Sequence, residues 1–153
     1  MEPGPELDAI IAEKVMGCKL WRRSEALMAA KDQTEYESLR RRAEYECTCP
    51  DSAHTDCDDE GMYSWLKEYS TDIAAAWEVV ERMQKPDKGF AFQLWFSEQN
   101  DTNDQWYAHF TMKHWLDNGY RADGVSKSAP HAICLATLET YDRILKQYGH
   151  KLA

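Results

Sequence analysis

The chain lacks any apolar run near the roughly 20 residues that a membrane-spanning helix needs, so no span is expected. Positive charge is short: 18 Lys and Arg stand against 27 Asp and Glu, a formal net charge of −9. So acidic a chain repels phosphate at long range. That excludes non-specific nucleic-acid binding and docking on an anionic membrane surface. Glycine is scarce, with 7 residues scattered singly. No glycine-rich loop is therefore available to cradle a phosphate or a dinucleotide. The Gly-x-Ser-x-Gly and His-Glu-x-x-His patterns are absent as well, so no catalytic template is found. The start, Met1-Glu2-Pro3-Gly4-Pro5-Glu6, is acidic and has no apolar stretch behind it, unlike a secretory signal. The 5 cysteines are an odd number. They read as reduced thiols or metal ligands in a cytosol rather than as a disulfide framework.

What is present is core material. The 153 residues suit one domain, 43% of them are hydrophobic, and 6 Trp, 8 Tyr and 4 Phe supply aromatic bulk. The negative charge is local: Asp51, Asp56, Asp58, Asp59 and Glu60 put more than half of the net charge in one short segment, beside His54 and Cys57. A first helix is expected from Glu6 to Met16, with Pro5 at its start, Leu7, Ile10, Ile11 and Val15 on one face, and Gly17 as the stop. Ser24 is expected to cap a second helix running to Lys31. Residues 34–46 read as a charged helix, and 47–62 as loop. Ser70, Thr71 and Asp72 supply cap chemistry for a helix whose buried stripe is Ile73, Trp77, Val80 and Met83 and which ends at Pro86.

Two alternating segments follow. Phe90, Phe92, Leu94 and Phe96 form one strand stripe, and Trp106, Ala108, Phe110 and Met112 another, antiparallel to the first across the polar turn 100–104. Asp117-Asn118-Gly119 signals a tight turn and a short third strand around Tyr120 to Ala122. Ser128 is expected to cap the last helix, with a buried stripe of Cys134, Leu138, Tyr141, Leu145 and Tyr148, closed by Gly149. Both strand faces carry aromatics, which helices on both sides would cover. The fold class expected is α+β: an antiparallel sheet of about three strands sandwiched between helices in α/β/α layers.

Three segments carry a resemblance. They are Ala12-Glu13-Lys14-Val15-Met16-Gly17, Tyr69-Ser70-Thr71-Asp72-Ile73-Ala74-Ala75-Ala76-Trp77-Glu78-Val79-Val80 and Ala129-Pro130-His131-Ala132-Ile133-Cys134-Leu135-Ala136. Over residues 6–21 and 69–145 the chain resembles the phage ABA sandwich domain family, small proteins of bacteriophages and prophages. The resemblance implies the same three-layer architecture and brings no catalytic residue set. Residues 22–68 depart from the family pattern and read as an inserted Cys/His-containing segment within one domain of residues 1–150. Lys151-Leu152-Ala153 reads as a cloning remnant.

The strongest chemical signal is Cys47-x-Cys49-x4-His54-x2-Cys57. Three thiols and one imidazole match a Cys3His zinc complement, filled and therefore structural. The plain alternative is a solvated acidic loop with free thiols. Asp56, Asp58 and Asp59 lack the spacing and glycine of a calcium loop. Ser70, Thr71 and Asp72 open a helix whose N–H groups could face an anion, against ordinary capping. Ser128-Ala129-Pro130-His131 opens another helix with the same two readings, and His131, one residue beyond Pro130, reads as solvent-facing and as the lesser candidate ligand contact. Trp95, Trp106 and Tyr107, with Trp115 and Tyr120, could stack a base at roughly 1–3 kcal/mol each, against simple core filling. Arg40-Arg41-Arg42 reads as a salt-bridged helix face, and Cys134 as a buried thiol.

The expectation is a non-enzymatic, phage-encoded accessory or anti-defence protein of the infected bacterial cytoplasm. It would sequester a host protein or a signalling nucleotide, with zinc as a structural ion and self-association open. The alternatives are a metal-dependent phosphoester hydrolase using Asp56, Asp58 and Asp59, which needs an open coordination position, and a phage assembly domain.

Overall fold

The structure is a computed structural model that describes residues 1–49, 55–57, 64–85, 89–98, 105–112 and 121–145. Helix α1 spans Pro5–Ile11 and continues through a wide π-helical turn, Ala12–Met16. Pro5 occupies the first turn, and Glu6 and Asp8 place carboxylates at the positive end of the helix. Gly17 stops it with φ 76°, the left-handed region that an L side chain resists. The Cys18 N–H returns to the Ala12 carbonyl at 2.9 Å. Leu7, Ile11 and Val15 face the core as expected, Ile10 is only half-buried, and Asp8 is buried with the core residues.

Strand β1 (Leu20–Arg22) pairs antiparallel with β2 (Tyr45–Cys47), Leu20 opposite Cys47. Between them lie α2 (Arg23–Met28) and α3 (Gln33–Arg40), neither with a buried residue. Ser24 does not cap α2: the helix starts at Arg23, two residues earlier than that cap would set, and Arg22, extended in β1, holds the cap position without a side-chain bond. Asp32 caps α3 by accepting from the Glu35 N–H at 2.8 Å. Arg42 binds Glu46 and lies 3.9 Å over the Trp21 ring, so one member of the arginine cluster fastens this lobe. The region read as loop is partly extended. Besides Cys47 in β2, β3 (Thr55–Cys57) pairs with β4 (Ser64–Leu66), Cys57 opposite Ser64.

Helix α4 spans Ile73–Gln84. Its buried face is Ala75, Ala76, Val79, Val80 and Met83, whereas Ile73 and Trp77 are 49% and 46% exposed. Val80 and Met83 are thus buried as expected, while the helix turns Ala75, Ala76 and Val79 inward in place of Ile73 and Trp77. The small Ala75 and Ala76 lie inside, and Trp77 leans edge-on against Phe92 at 5.8 Å.

The main sheet has the order β5-β6-β7, all antiparallel: β5 Phe90–Ser97, β6 Gln105–Met112 and β7 Arg121–Ser126. The expected β5–β6 pairing holds, with Phe92 opposite Phe110 and Trp95 opposite Tyr107. The third strand runs further than expected, to Ser126. Alternation places Phe90, Phe92, Leu94 and Phe96 with Phe110, Ala108, Trp106, Ala122 and Gly124 on one face. Helices α4 and α5 (Ala129–Thr140) pack there. Gly124 is required at this contact, because a Cβ would meet the Ala132 carbonyl oxygen at 2.0 Å.

Helix α5 has no single buried stripe. Pro130, His131, Ala132, Ile133, Cys134, Ala136, Thr137 and Thr140 are all buried, while Leu138 and Tyr141 are only partly so. The helix is therefore a central pillar. Thr137 and Thr140 are tolerated inside because each hydroxyl donates to the carbonyl four residues back, Ile133 and Ala136, at 2.8 Å. A second π-helical turn follows at Tyr141–Leu145. The architecture is α+β around a three-stranded antiparallel sheet, as expected. The turns read at 100–104 and 117–119, Pro86, Trp115, Tyr120, Tyr148, Gly149 and residues 151–153 lie outside the described residues.

Candidate functional site

Two reactive or recognition features stand out among the described residues: a cluster of thiols and an aromatic sheet face. Cys18, just past the helix stop, meets Cys47 at the end of β2 and Cys49 two residues later. The three sulfurs all lie within 4.8 Å of one another. Cys18 is 6% exposed, and Cys47 and Cys49 are half-buried. Their backbones are locked together, since the Thr48 N–H and hydroxyl both donate to the Lys19 carbonyl, at 2.8 and 2.9 Å. Burial pushes the Cys18 and Cys47 thiols up, the neighbouring sulfurs adding to the rise at Cys18. Cys49 is held below its ordinary value, chiefly because the Lys19 N–H donates to its sulfur. The Cys49 N–H in turn donates to Cys47 Sγ at 3.4 Å. Such a cluster can hold a metal ion.

Of the zinc set read from the sequence, Cys47 and Cys49 come together. His54 lies outside the described residues, and of Cys57 only the backbone, in β3, is described. Asp56 sits beside it in β3, while Asp58 and Asp59 lie outside the described residues. Cys18 was missed. The one available signal was its position directly after the helix-stopping Gly17, which sends the chain back towards the core.

The sheet face opposite α4 and α5 carries Trp95, Tyr107, His109, Asp123 and Val125. Trp95 and Tyr107 stack on each other with centroids 5.4 Å apart and planes 9° from parallel. Trp95 also meets the buried His109 edge-on at 5.0 Å. His109 Nδ1 lies 3.9 Å from Asp123 Oδ1. Val125 is 40% exposed. Trp106 is on the other face, against Phe96 at 5.2 Å.

The remaining expected ligand contacts are bonded within the chain. Ser70 is fully buried; its N–H donates to Asp8 Oδ1 at 2.7 Å and its Oγ accepts from the Gly4 N–H at 2.8 Å. Thr71 donates to Glu68 at 3.1 Å, and Asp72 caps α4 through the Ala74 N–H at 2.9 Å. His131, expected at the surface, is 9% exposed, because α5 presses its first turn against β7 and the chain start. Its Nε2 lies 2.8 Å from the Met1 carbonyl, which can only accept, so Nε2 donates there. In the neutral ring, Nδ1 then accepts from the Ser126 hydroxyl at 2.9 Å. The sheet separates Ser70, Thr71, Asp72 and His131 from Trp95 and Tyr107. Cys134 is buried as expected and faces the Tyr69 carbonyl at 3.3 Å.

Fold and site together define a small α+β sandwich protein with a thiol cluster at the foot of its first helix. The chain belongs to the phage ABA sandwich domain family, whose model matches residues 9–138. Among solved structures, a phage protein from Bacillus cereus ATCC 14579 aligns with a TM-score of 0.48 and 18% identity, over 93% of this chain and 94% of its own. No curated protein matches the sequence. Among the described residues, no helix is long and apolar enough to cross a membrane.

Proposed function

We propose that this chain is a non-enzymatic phage accessory protein that sequesters a host protein in the infected bacterial cytoplasm, in an accessory or anti-defence role. One observation carries the reading: the stacked Trp95–Tyr107 pair on the sheet face turned away from α4 and α5. Such rings give large contact area at low cost in side-chain entropy. The net charge of −9 favours a basic partner surface. A signalling nucleotide fits this face less well. A base gripped between two rings needs contacts of about 3.5 Å on each side, and so rings about 7 Å apart. Here they are 5.4 Å apart and already touching. In this reading zinc is a structural ion, and the Cys-bearing segment 22–68 is the part peculiar to this chain.

The test compares the chain with Trp95→Ala/Tyr107→Ala in capture from a host lysate, followed by titration of the captured partner. Circular dichroism first establishes that the variant is folded. The expected result is one stoichiometric host protein, bound at least about 2 kcal/mol more weakly by the variant. Calorimetry against a nucleotide panel should give no heat. Equal capture by both chains, or saturable nucleotide binding, would overturn the reading.

A further inference from the structure

We infer that Cys18, Cys47 and Cys49 together hold one thiophilic divalent ion of the zinc type as three thiolates. This rests on the metal part of the reading above and changes its ligand set, bringing in a cysteine 29 residues before Cys47 in sequence.

Convergence is the first support. The three sulfurs lie within 4.8 Å of one another. A zinc–sulfur bond of about 2.3 Å sets tetrahedral sulfurs about 3.8 Å apart. Closing on an ion therefore requires sulfur movements of about 1 Å or less, within the reach of χ1 adjustments. The second support is the backbone between the ligands. Cys18 leaves the left-handed Gly17, and Thr48 clamps the Lys19 carbonyl twice, so both arms of the cluster are fixed before any ion arrives. The third is the pattern of donors. The Cys49 N–H donates to Cys47 Sγ at 3.4 Å. Amide donors stabilise the anionic form of a sulfur and do the work of outer-shell partners at metal sites.

The plain alternative is apolar packing, the ordinary fate of a buried thiol. It describes Cys134, enclosed in α5 away from the other cysteines. It does not describe Cys47 and Cys49, which are half-buried and only border the core. Three sulfurs from two chain segments gathered in one sphere, with an amide N–H turned on one of them, is the arrangement an ion needs.

The test is cobalt(II) titration of the full chain under a phosphine reductant. It follows the sulfur-to-cobalt charge-transfer band for the native chain, Cys18→Ala, Cys18→Ser, Cys49→Ser, Cys57→Ser and His54→Ala, with folding checked by circular dichroism. The native chain should bind one equivalent, displaceable by zinc. Both Cys18 variants and Cys49→Ser should lose charge-transfer intensity and at least about tenfold in affinity. Unchanged affinity and intensity in a folded Cys18 variant would overturn the role of Cys18 while leaving metal binding by this segment standing. Absence of the band in the native chain would overturn both.

Discussion

Asp8 shows how one residue can couple two elements and acquire a pH dependence. It is 4% exposed, beside the apolar Leu7, Ala9 and Ile11 of the same helix. It accepts from the Ser70 N–H at 2.7 Å, and Ser70 accepts from the Gly4 N–H, so the starts of α1 and α4 are tied through a buried polar knot. Burial raises the Asp8 carboxyl above its ordinary range. The Ser70 bonds offset part of the rise, and the nearby Glu68 adds to it. A raised folded-state value means that the folded chain holds the proton more tightly than the unfolded chain does. The stabilisation this provides is complete below the ordinary carboxylate range and is lost as pH climbs through the raised value. Asp8→Asn keeps an oxygen for Ser70 and has no proton to lose. Its melting temperature relative to the native chain should therefore increase between about pH 4 and about pH 7. Differential scanning calorimetry at the two values checks this, and a constant difference would contradict it.

The contact of β7 with α5 is a close one, centred on Gly124. A Cβ at position 124 would stand 2.0 Å from the Ala132 oxygen and 2.5 Å from the Ala136 nitrogen, both backbone atoms that cannot swing aside. Gly124→Ala should therefore cost about 3 kcal/mol. A urea midpoint equal to that of the native chain would show that the helix can move off the strand. The elements bounded by strong local chemistry were legible in the sequence. Gly17 stops a helix, Asp72 starts one, and the period-two alternation of Phe90 to Phe96 gives a strand with its partner. Strands β1 to β4 were not, because three residues carry no measurable period and their pairing is a long-range matter. The rotation of α4 escaped for another reason. Hydropathy ranks Ile73 and Trp77 above Ala75 and Ala76, but closeness of helix packing favours small side chains.

Across the whole molecule, burial is uneven. Helices α2 and α3 bury no residue, whereas α4 and α5 line the core. Local opening should follow that contrast. In hydrogen exchange, amides of 24–40 should exchange orders of magnitude faster than those of 132–140, and equal protection would mean that the lobe is held by something beyond the packing described. The candidate site follows the same division between local and distant information. The Cys47-x-Cys49 pair was visible as a motif, while Cys18 joins it only through β1–β2 pairing, which no spacing rule encodes. Alternation puts Trp95 and Tyr107 on one sheet face, but their direct apposition and mutual stacking, which closes the gap between them, come from the register and were not legible.

The pillar position of α5 has a consequence for biosynthesis. A ribosome delivers residues in order, so the inner sheet face with Phe90, Phe92 and Phe110 emerges after α4 but before α5, the second helix that covers it. Until residues 129–140 arrive, α4 alone can lie on that face, through Trp77 against Phe92, and the part that α5 covers stays open. Sealing of the inner face is thereby set by the arrival of a single late segment.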